Sequence, residues 1–209
     1  MSLAIVHTRA QLGIDAPQVT VEVHLSNGLP GFAIVGLPET AVKESKDRVR
    51  SAILNSHFEF PVKRITVNLA PADLPKEGGR YDLAIAIGIL AASEQVPAEH
   101  LPDYEFIGEL ALSGDIRPVR GCLPAVLASG RAKRTCVVPV DNAAEASLCR
   151  DAPHLLANHL LAVCAHLHQR ENLPTTQPVQ PGQYAHSQDL ADVKGQAQAR
   201  RALEVAAAG

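Results

Sequence analysis

The segment Pro75–Ser93, PKEGGRYDLAIAIGILAAS, constrains this chain most. Two glycines precede an apolar run whose only charges, Arg80 and Asp82, lie at its start. A helix that is apolar on every side has no face to offer to water, so it must pack between a sheet and another element. Gly78 and Gly79 permit the positive φ values of a tight turn into that helix. Asp82 sets a carboxylate near the positive end of the helix dipole, the simplest structural role for it. The helix is expected to end near Val96, ahead of Pro97.

A buried helix needs a large core around it, and a chain of 209 residues that is 46% hydrophobic can supply one. Aromatic residues make up only 3%, so that core is aliphatic. The formal net charge of -3 gives no global attraction to nucleic acid, and any such contact must come from a local patch. Cys122, Cys136, Cys149 and Cys164 are too far apart for a CxxC metal or redox motif and read as reduced core thiols. The N-terminus lacks a cationic leader, and no apolar stretch approaches the ~18 residues of a membrane span. A cytoplasmic protein without membrane contact is expected.

Leu3–Val6, Val19–Leu25 and Phe32–Leu37 read as three strands of an antiparallel set. In the second, Val19, Val21, Val23 and Leu25 alternate with polar residues at the period of a half-buried strand. Asn27-Gly28 is a turn signal between the second and third. From Glu39 to His57 the period becomes helical, with Val42, Val49, Ala52 and Ile53 on one side and a Glu44/Arg48 pair four residues apart. Lys63–Ala70 is a strand. Phe106–Leu112 and Ile116–Val119 read as a hairpin turning at Ser113-Gly114-Asp115. Gly121–Ala132 is a helix with Pro124 in its first turn. A strand at Cys136–Val140, a short helix at Asn142–Leu148 and a longer helix at Leu155–His168 follow. The order implies a mixed α/β domain over residues 1–169. Residues 170–188, rich in Pro, Gln and Thr, read as a linker. Residues 189–209 regain helical character and read as the start of a second domain.

The charged side chains of the Glu39–His57 helix, among them Lys43, Lys46 and Arg50, and the later cluster Arg117, Arg120, Arg131, Lys133 and Arg134 are the candidate contacts for DNA or a neighbouring subunit. Separate solvated side chains are the simpler account of both groups. The histidines His154, His159, His166 and His168 with Cys164 reproduce no zinc spacing, since two helical ligands need i, i+3 or i, i+4 to share a face. They read as scattered solvent-exposed side chains. The chain has no G-x-x-x-x-G-K-[ST] loop, no GxSxG elbow and no HExxH pair.

Three stretches, PKEGGRYDLAIAIGILAAS, FIGELALSGDIRPVRGCLPAVLAS and CVVPVDNAAEA, resemble the proteolytic domain of Lon proteases and the C-terminal domain of the RadA/Sms recombination protein. A narrower resemblance rests on GLPETAVKESKDRVRSAI, NLAPADLPKEGGRYDLAIAIGILAAS, GELALSGDIRPVRG and DLADVKGQAQARRALEVAAAG. These four together resemble the N-terminal part of the Mg-chelatase-like AAA+ ATPases of the YifB/ComM competence family. The likeness to Lon implies a ribosomal protein S5 domain 2-like α/β fold. It also implies a site, because Lon pairs a serine in the loop before the buried helix with a lysine at the start of the helix after the GEL…G hairpin. Those positions fall at Arg80 and Leu123, and no lysine occurs between Lys76 and Lys133. The resemblance therefore implies the peptidase scaffold without its chemistry, and no catalytic, cofactor or metal residue in this chain.

The YifB/ComM resemblance implies a hexameric, ATP-driven motor that acts as a helicase promoting DNA branch migration in natural transformation. Its ATP and Mg would be held by a module that follows the tail segment, so this chain is expected to be the N-terminal part of a longer protein. The expected role is a noncatalytic accessory domain that supports ring assembly with other copies of itself or contacts DNA. The alternatives are a degenerate Lon-like peptide-binding domain and a cryptic hydrolase using Ser113 or Ser45.

Overall fold

The computed structural model describes residues 2–176 and 189–209. The chain divides into two compact units, residues 1–178 and 179–209. In the first unit, strands β1 (Ser2–Arg9) and β2 (Gln18–Ser26) pair antiparallel, and β3 (Gly31–Val35) follows. Two helices, α1 (Thr40–Lys43) and α2 (Ser45–Asn55), lead to β4 (Arg64–Ala70) and then to the buried helix α3 (Asp82–Ala92). β5 (Tyr104–Phe106), the hairpin β6 (Glu109–Leu110) and β7 (Ile116–Arg117), and α4 (Cys122–Arg131) come next. β8 (Thr135–Pro139), α5 (Ala143–Ala146), β9 (His154–Ala157) and α6 (Leu160–Leu167) complete the unit. The second unit holds α7 (Ala197–Ala208), preceded by a turn at Leu190–Asp192 whose first residues form a capping box between Asp189 and Asp192.

Seven strands form one mixed sheet in the order β3-β4-β2-β1-β5-β8-β9, and β6 and β7 stand apart as a small ribbon. β3 does not join β2 in an antiparallel set, as the Asn27-Gly28 turn suggested. It pairs parallel with β4, which lies between it and β2. The reason is the helix pair α1 and α2. Parallel neighbours need a crossover of a dozen or more residues, and the segment between Val35 and Arg64 provides one.

Four further expectations are corrected. The helix expected over 39–57 breaks at Glu44, giving α1 and α2. α3 stops at Ala92 rather than near Val96, with Ser93 donating its hydroxyl back to the Ile89 and Leu90 carbonyls. Residues 104–106, the lead-in to the expected hairpin, are sheet residues running parallel with β1 and β8, so the hairpin itself is short. The segment read as one helix over 155–168 is a strand and then a helix: Leu155 and Leu156 pair parallel with β8, and α6 begins only at Leu160. A short apolar run carries no period that separates a buried strand from a buried helix.

Helix α3 lies across β1 and β2 with every one of its eleven residues buried. Val6, Val19, Val21, Val23 and Leu25 of the sheet, with Val49 and Ile53 of α2, belong to the same apolar cluster. A second cluster, including Ile107, Cys122, Val126, Cys136 and Val138, packs under α4 and α5. The opposite face of the β3-β4-β2-β1 half carries Leu3 and Ile5 beside Thr20, Glu22, His24 and Asn68, which are exposed or half-buried. The first part of the compositional linker is attached to this unit: Leu173 is buried, and the Leu156 N–H donates to the Pro174 carbonyl at 2.7 Å. Residues 177–188, the remainder of that linker, lie outside the described residues.

α3 sits close on the sheet because residue 88 has no side chain. A Cβ there would lie 2.5 Å from Cγ2 of Val23. Gly88→Ala is therefore expected to destabilise the domain by about 1–3 kcal/mol through overpacking, even though alanine is the better helix former. A shift of the urea midpoint to lower concentration checks this.

Candidate functional site

The loop between β4 and α3 is tied down at several points. Lys76 is wholly buried, and its ammonium donates to the Pro71 carbonyl. Burial lowers its pKa, opposed by the charge of Asp73. The Lys76 carbonyl accepts from the Glu39 N–H at 3.2 Å, fixing the loop to the start of α1. Gly78 takes φ +71, the left-handed value its position was expected to need. Gly79 matters for space instead, since a Cβ there would lie 2.5 Å from Oε2 of Glu109. The Gly108 N–H donates to the Arg80 carbonyl at 3.1 Å, and the Leu83 N–H donates to the Gly108 carbonyl at 3.1 Å.

Asp82 stands in the first turn of α3, at the positive end of the helix as expected, but Tyr81 is the N-cap and the Asp82 side chain caps no helical N–H. Its carboxylate accepts from Arg48 Nε at 2.7 Å, from Arg48 Nη2 at 3.2 Å and from the Leu110 N–H at 3.2 Å. Arg48 thus serves α3 rather than the expected pair with Glu44. Burial pushes the Asp82 carboxyl up to about 6, against the pull of Arg48 and the Leu110 N–H. Arg48, one-fifth exposed, is itself raised by the bond to Asp82.

Arg80 is buried, with 6% of its surface exposed. Its Nη1 donates weakly to Gln11 Oε1 at 3.4 Å and to the Arg120 carbonyl at 3.3 Å. Desolvation lowers its pKa, and burial pushes the neighbouring Tyr81 hydroxyl up to about 12. Arg80 lines a cleft of about 700 Å³ with Gln11, the Gly78-Gly79 loop, Glu109 and Arg120. Leu123, in the first turn of α4, is half-buried and donates its N–H to Glu145 Oε1 at 2.7 Å. It lines a second, more apolar cleft of about 790 Å³ with Ile14, Leu127 and Arg131. Leu12 and Gly13 contribute to both clefts. Neither position supplies a hydroxyl nucleophile or an amine base.

The two serines of the hydrolase alternative are each hydrogen-bonded to a near neighbour in sequence. Ser45 is buried and donates to the Val42 carbonyl at 2.6 Å. Ser113 is exposed and donates to Asp115 Oδ2 at 2.6 Å. His159, close to Gly114, uses Nδ1 to accept the Leu161 N–H at 3.0 Å. Its neutral form then carries the proton on Nε2 and has no lone pair left for a serine.

The cationic candidates line several clefts: Lys46 and Arg50 one, Arg120 that of Arg80, and Arg131 that of Leu123. Lys46 and Arg50 line a third cleft, where the Arg50 guanidinium stands 5.0 Å from the centre of the Phe60 ring, and Lys43 is exposed on α1. Arg117 is exposed and 3.6 Å from Glu109, and Arg120 is exposed at the Arg80 cleft. Arg131 and Lys133 are exposed at the end of α4. Arg134 is committed internally: it reaches Glu105 Oε1 at 3.2 Å, Gln18 Oε1 at 3.0 Å and the Pro102 carbonyl at 3.0 Å. Glu105, wholly buried, also receives Arg9 at 2.6 and 2.7 Å. Sequence reasoning missed this Arg9–Glu105–Arg134 cluster, because residues so far apart along the chain carry no local signal of pairing.

The histidines are engaged rather than scattered in solvent. His154 is buried and contacts Thr176 Oγ1 at 2.6 Å, His166 meets the Tyr104 hydroxyl at 3.1 Å, and His168 meets the Gln95 carbonyl at 3.0 Å. Among the described residues, no group of three or more His, Cys, Asp or Glu side chains is placed to hold a metal ion. All four cysteines are free and buried, and burial pushes Cys122 and Cys164 up to about 12. Among the described residues, no helix is long and apolar enough to cross a membrane.

With that geometry in place, comparison with known proteins fixes the class. Residues 21–142, which hold the sheet centre, α3 and α4, match the family described as subunit ChlI of Mg-chelatase, and the chain belongs to that family. Within it, the chain groups with the ComM and YifB proteins. It is 56% identical over 214 residues to the competence protein ComM of Haemophilus influenzae, covering 100% of this chain and 42% of that protein. It is 55% identical over 209 residues to the uncharacterized protein YifB of Escherichia coli, covering 100% and 41%. A distant similarity, 28% over 130 residues, links 58% of the chain to 16% of a Lon protease of Geobacter metallireducens. The chain spans about two fifths of the length of the ComM and YifB relatives.

The Asp82 environment gives a pH signature. Its folded pKa of about 6 lies above the ordinary 3.8, so between these values the folded state keeps a proton that the unfolded state has lost. This group's contribution to stability is full below pH 3.8 and is lost as the pH rises through 6. The urea midpoint of the native chain, relative to Asp82→Asn, is expected to fall between pH 4 and pH 6 and to level off above. Arg48→Met leaves the buried carboxyl without its cation and is expected to cost about 3 kcal/mol at pH 7. Chemical denaturation reads both.

Proposed function

We propose that this chain is the noncatalytic N-terminal domain of a longer, hexameric AAA+ ATPase that moves branched DNA. In this reading the domain supports ring assembly or contacts DNA. ATP and Mg belong to a module beyond residues 189–209. The fold is of the ribosomal protein S5 domain 2-like kind. The observation that carries the reading is the pair Arg80 and Leu123 at the two positions where the resemblance to Lon requires a serine and a lysine. A scaffold that keeps its buried helix and glycine loop while both reactive groups are replaced is retained for binding or assembly rather than hydrolysis. Membership in the same family as a protein named for competence supports the DNA side of the reading.

Two surfaces divide the proposed roles. Lys43 and Lys46 lie on the crossover helices, whereas Arg131 and Lys133 lie at the end of α4. In the longer protein, removal of residues 1–169 is expected to abolish hexamer formation or branch migration, read by light scattering and by strand exchange on a labelled four-way junction. Full retention of both would refute the proposal. Lys43→Glu with Lys46→Glu is expected to weaken DNA binding several-fold and flatten its salt dependence if these helices meet phosphate. Unchanged binding assigns the contact elsewhere. The chain of residues 1–209 alone is expected to cleave neither casein nor ATP.

A further inference from the structure

The chain has four phenylalanines and no tryptophan, and two of the four, Phe32 and Phe60, line one surface cleft of about 420 Å³. Their ring centres stand 6.0 Å apart, and the Arg50 guanidinium stands 5.0 Å from the centre of the Phe60 ring. Both rings pack against the apolar core, yet neither is fully buried, and Arg50 is exposed. Cations surround them. Lys46 and Arg50 stand four residues apart on α2, and so on one face of it, while Lys63 comes from the segment entering β4. A smaller cleft of about 300 Å³ shares Gly31 and Phe32 with the first and adds Arg64. Among the described residues, none of Lys46, Arg50, Lys63 and Arg64 is in an ion pair. Asp47 is the one acid that lines either cleft, and it stands in the first turn of α2, where the helix N-terminus meets its charge. A chain of net charge -3 thus keeps a local excess of unanswered positive charge around two aromatic rings.

The mixture of rings and cations selects the partner. Cations alone attract any anion, and rings alone attract any apolar group. Rings set among cations match a chain that carries one flat π-face and one negative charge in each of its units. A single nucleic-acid strand is such a chain. A duplex offers the charges but hides the faces of its bases between their neighbours, and an acidic peptide offers carboxylates without the flat face. Arg50 beside Phe60 widens the stacking surface, since bases stack on guanidinium planes as they do on aromatic ones. We propose that the Phe32–Phe60 cleft binds single-stranded DNA, one base seated against Phe60 and Arg50 while Lys46, Lys63 and Arg64 meet the flanking phosphates. That the strand is DNA rests on the function proposed above; the stacking site itself rests on the rings and the cations around them.

The test uses the 209-residue chain with three fluorescein-labelled probes: a ten-nucleotide oligo-dT, an abasic strand with the same phosphates, and a ten-base-pair duplex. Fluorescence anisotropy reads the affinities, with deca-glutamate as an unlabelled competitor. Oligo-dT is expected to bind about tenfold tighter than the abasic strand, the size of one stacked base, and tighter than the duplex. Phe60→Leu is expected to remove that tenfold preference while leaving the affinity for the abasic strand unchanged, which also shows that the variant folds. Phe60→Tyr, which restores a ring, is expected to keep the preference. Lys63→Glu is expected to weaken both strands several-fold and to flatten their salt dependence. Equal affinity for oligo-dT and the abasic strand, tighter binding of the duplex, no binding of any probe, or a preference that survives Phe60→Leu would each overturn the proposal. So would displacement of oligo-dT by deca-glutamate as readily as by unlabelled oligo-dT, which would make the cleft a protein site. These are equilibrium measurements on this chain alone, so their failure leaves ring assembly standing as the role of the domain. An intact motor without residues 1–169 overturns that role, whatever the strands do here.

Discussion

The bond from Arg48 to Asp82 holds together four parts of the domain. Arg48 rises from the crossover helix α2, Asp82 begins α3, and the same carboxylate accepts the N–H of Leu110 in the small ribbon. Arg48 Nη2 also reaches back to the Ala41 carbonyl of α1 at 3.2 Å. A helix buried on all sides has to bring its first charged residue into the interior with it. That charge is tolerable only where a cation and an N–H meet it. The pair therefore fixes where α3 starts, and the start of α3 fixes the direction of the glycine loop and of Arg80. The second buried cluster, Arg9 and Arg134 on Glu105, does the same between β1, β5 and the segment after α4.

Much of this architecture was legible in the residues. The burial of α3 followed from its unbroken apolar run, and the alternation of β2 followed from Val19, Val21, Val23 and Leu25. Pro124 in the first turn of α4 and the helical tail were equally plain. The sequence was silent where partners are distant. Nothing local distinguishes the true partner of Arg48, Asp82, from the nearby Glu44. The position of β3 outside β4 depends on the crossover rather than on the Asn-Gly turn that precedes it. The strand at His154–Ala157 was hidden because four residues, three of them buried, fit a helix as readily as a sheet. At the candidate site, the identities of Arg80 and Leu123 were readable, but the burial of Arg80, with two nitrogens unpartnered among the described residues, and the shared wall between two clefts exist only in three dimensions.

The glycine loop, the buried helix and the hairpin are held together by close packing. The glycines, the buried helix and the hairpin serve packing: Gly79 leaves room for Glu109, Gly88 for Val23 and Gly108 for Ile116. Arg80 lines a polar cleft and Leu123 a more apolar one, and Leu12 and Gly13 line both. Of the cations expected to meet DNA, Arg120 and Arg131 line these clefts, and Arg134 is bound to the buried Glu105.

The central claim is that α3, clamped at Asp82, is the rigid element that sets the junction's geometry. Native-state hydrogen exchange tests it most directly, because amides that open only by global unfolding report the full stability of the domain. The account predicts that the amides from Ile85 to Ala92 exchange with the same free energy and the same denaturant dependence as global unfolding. Exchange of these amides through a smaller opening, with the sheet amides of β2 and β4 still protected, would contradict it.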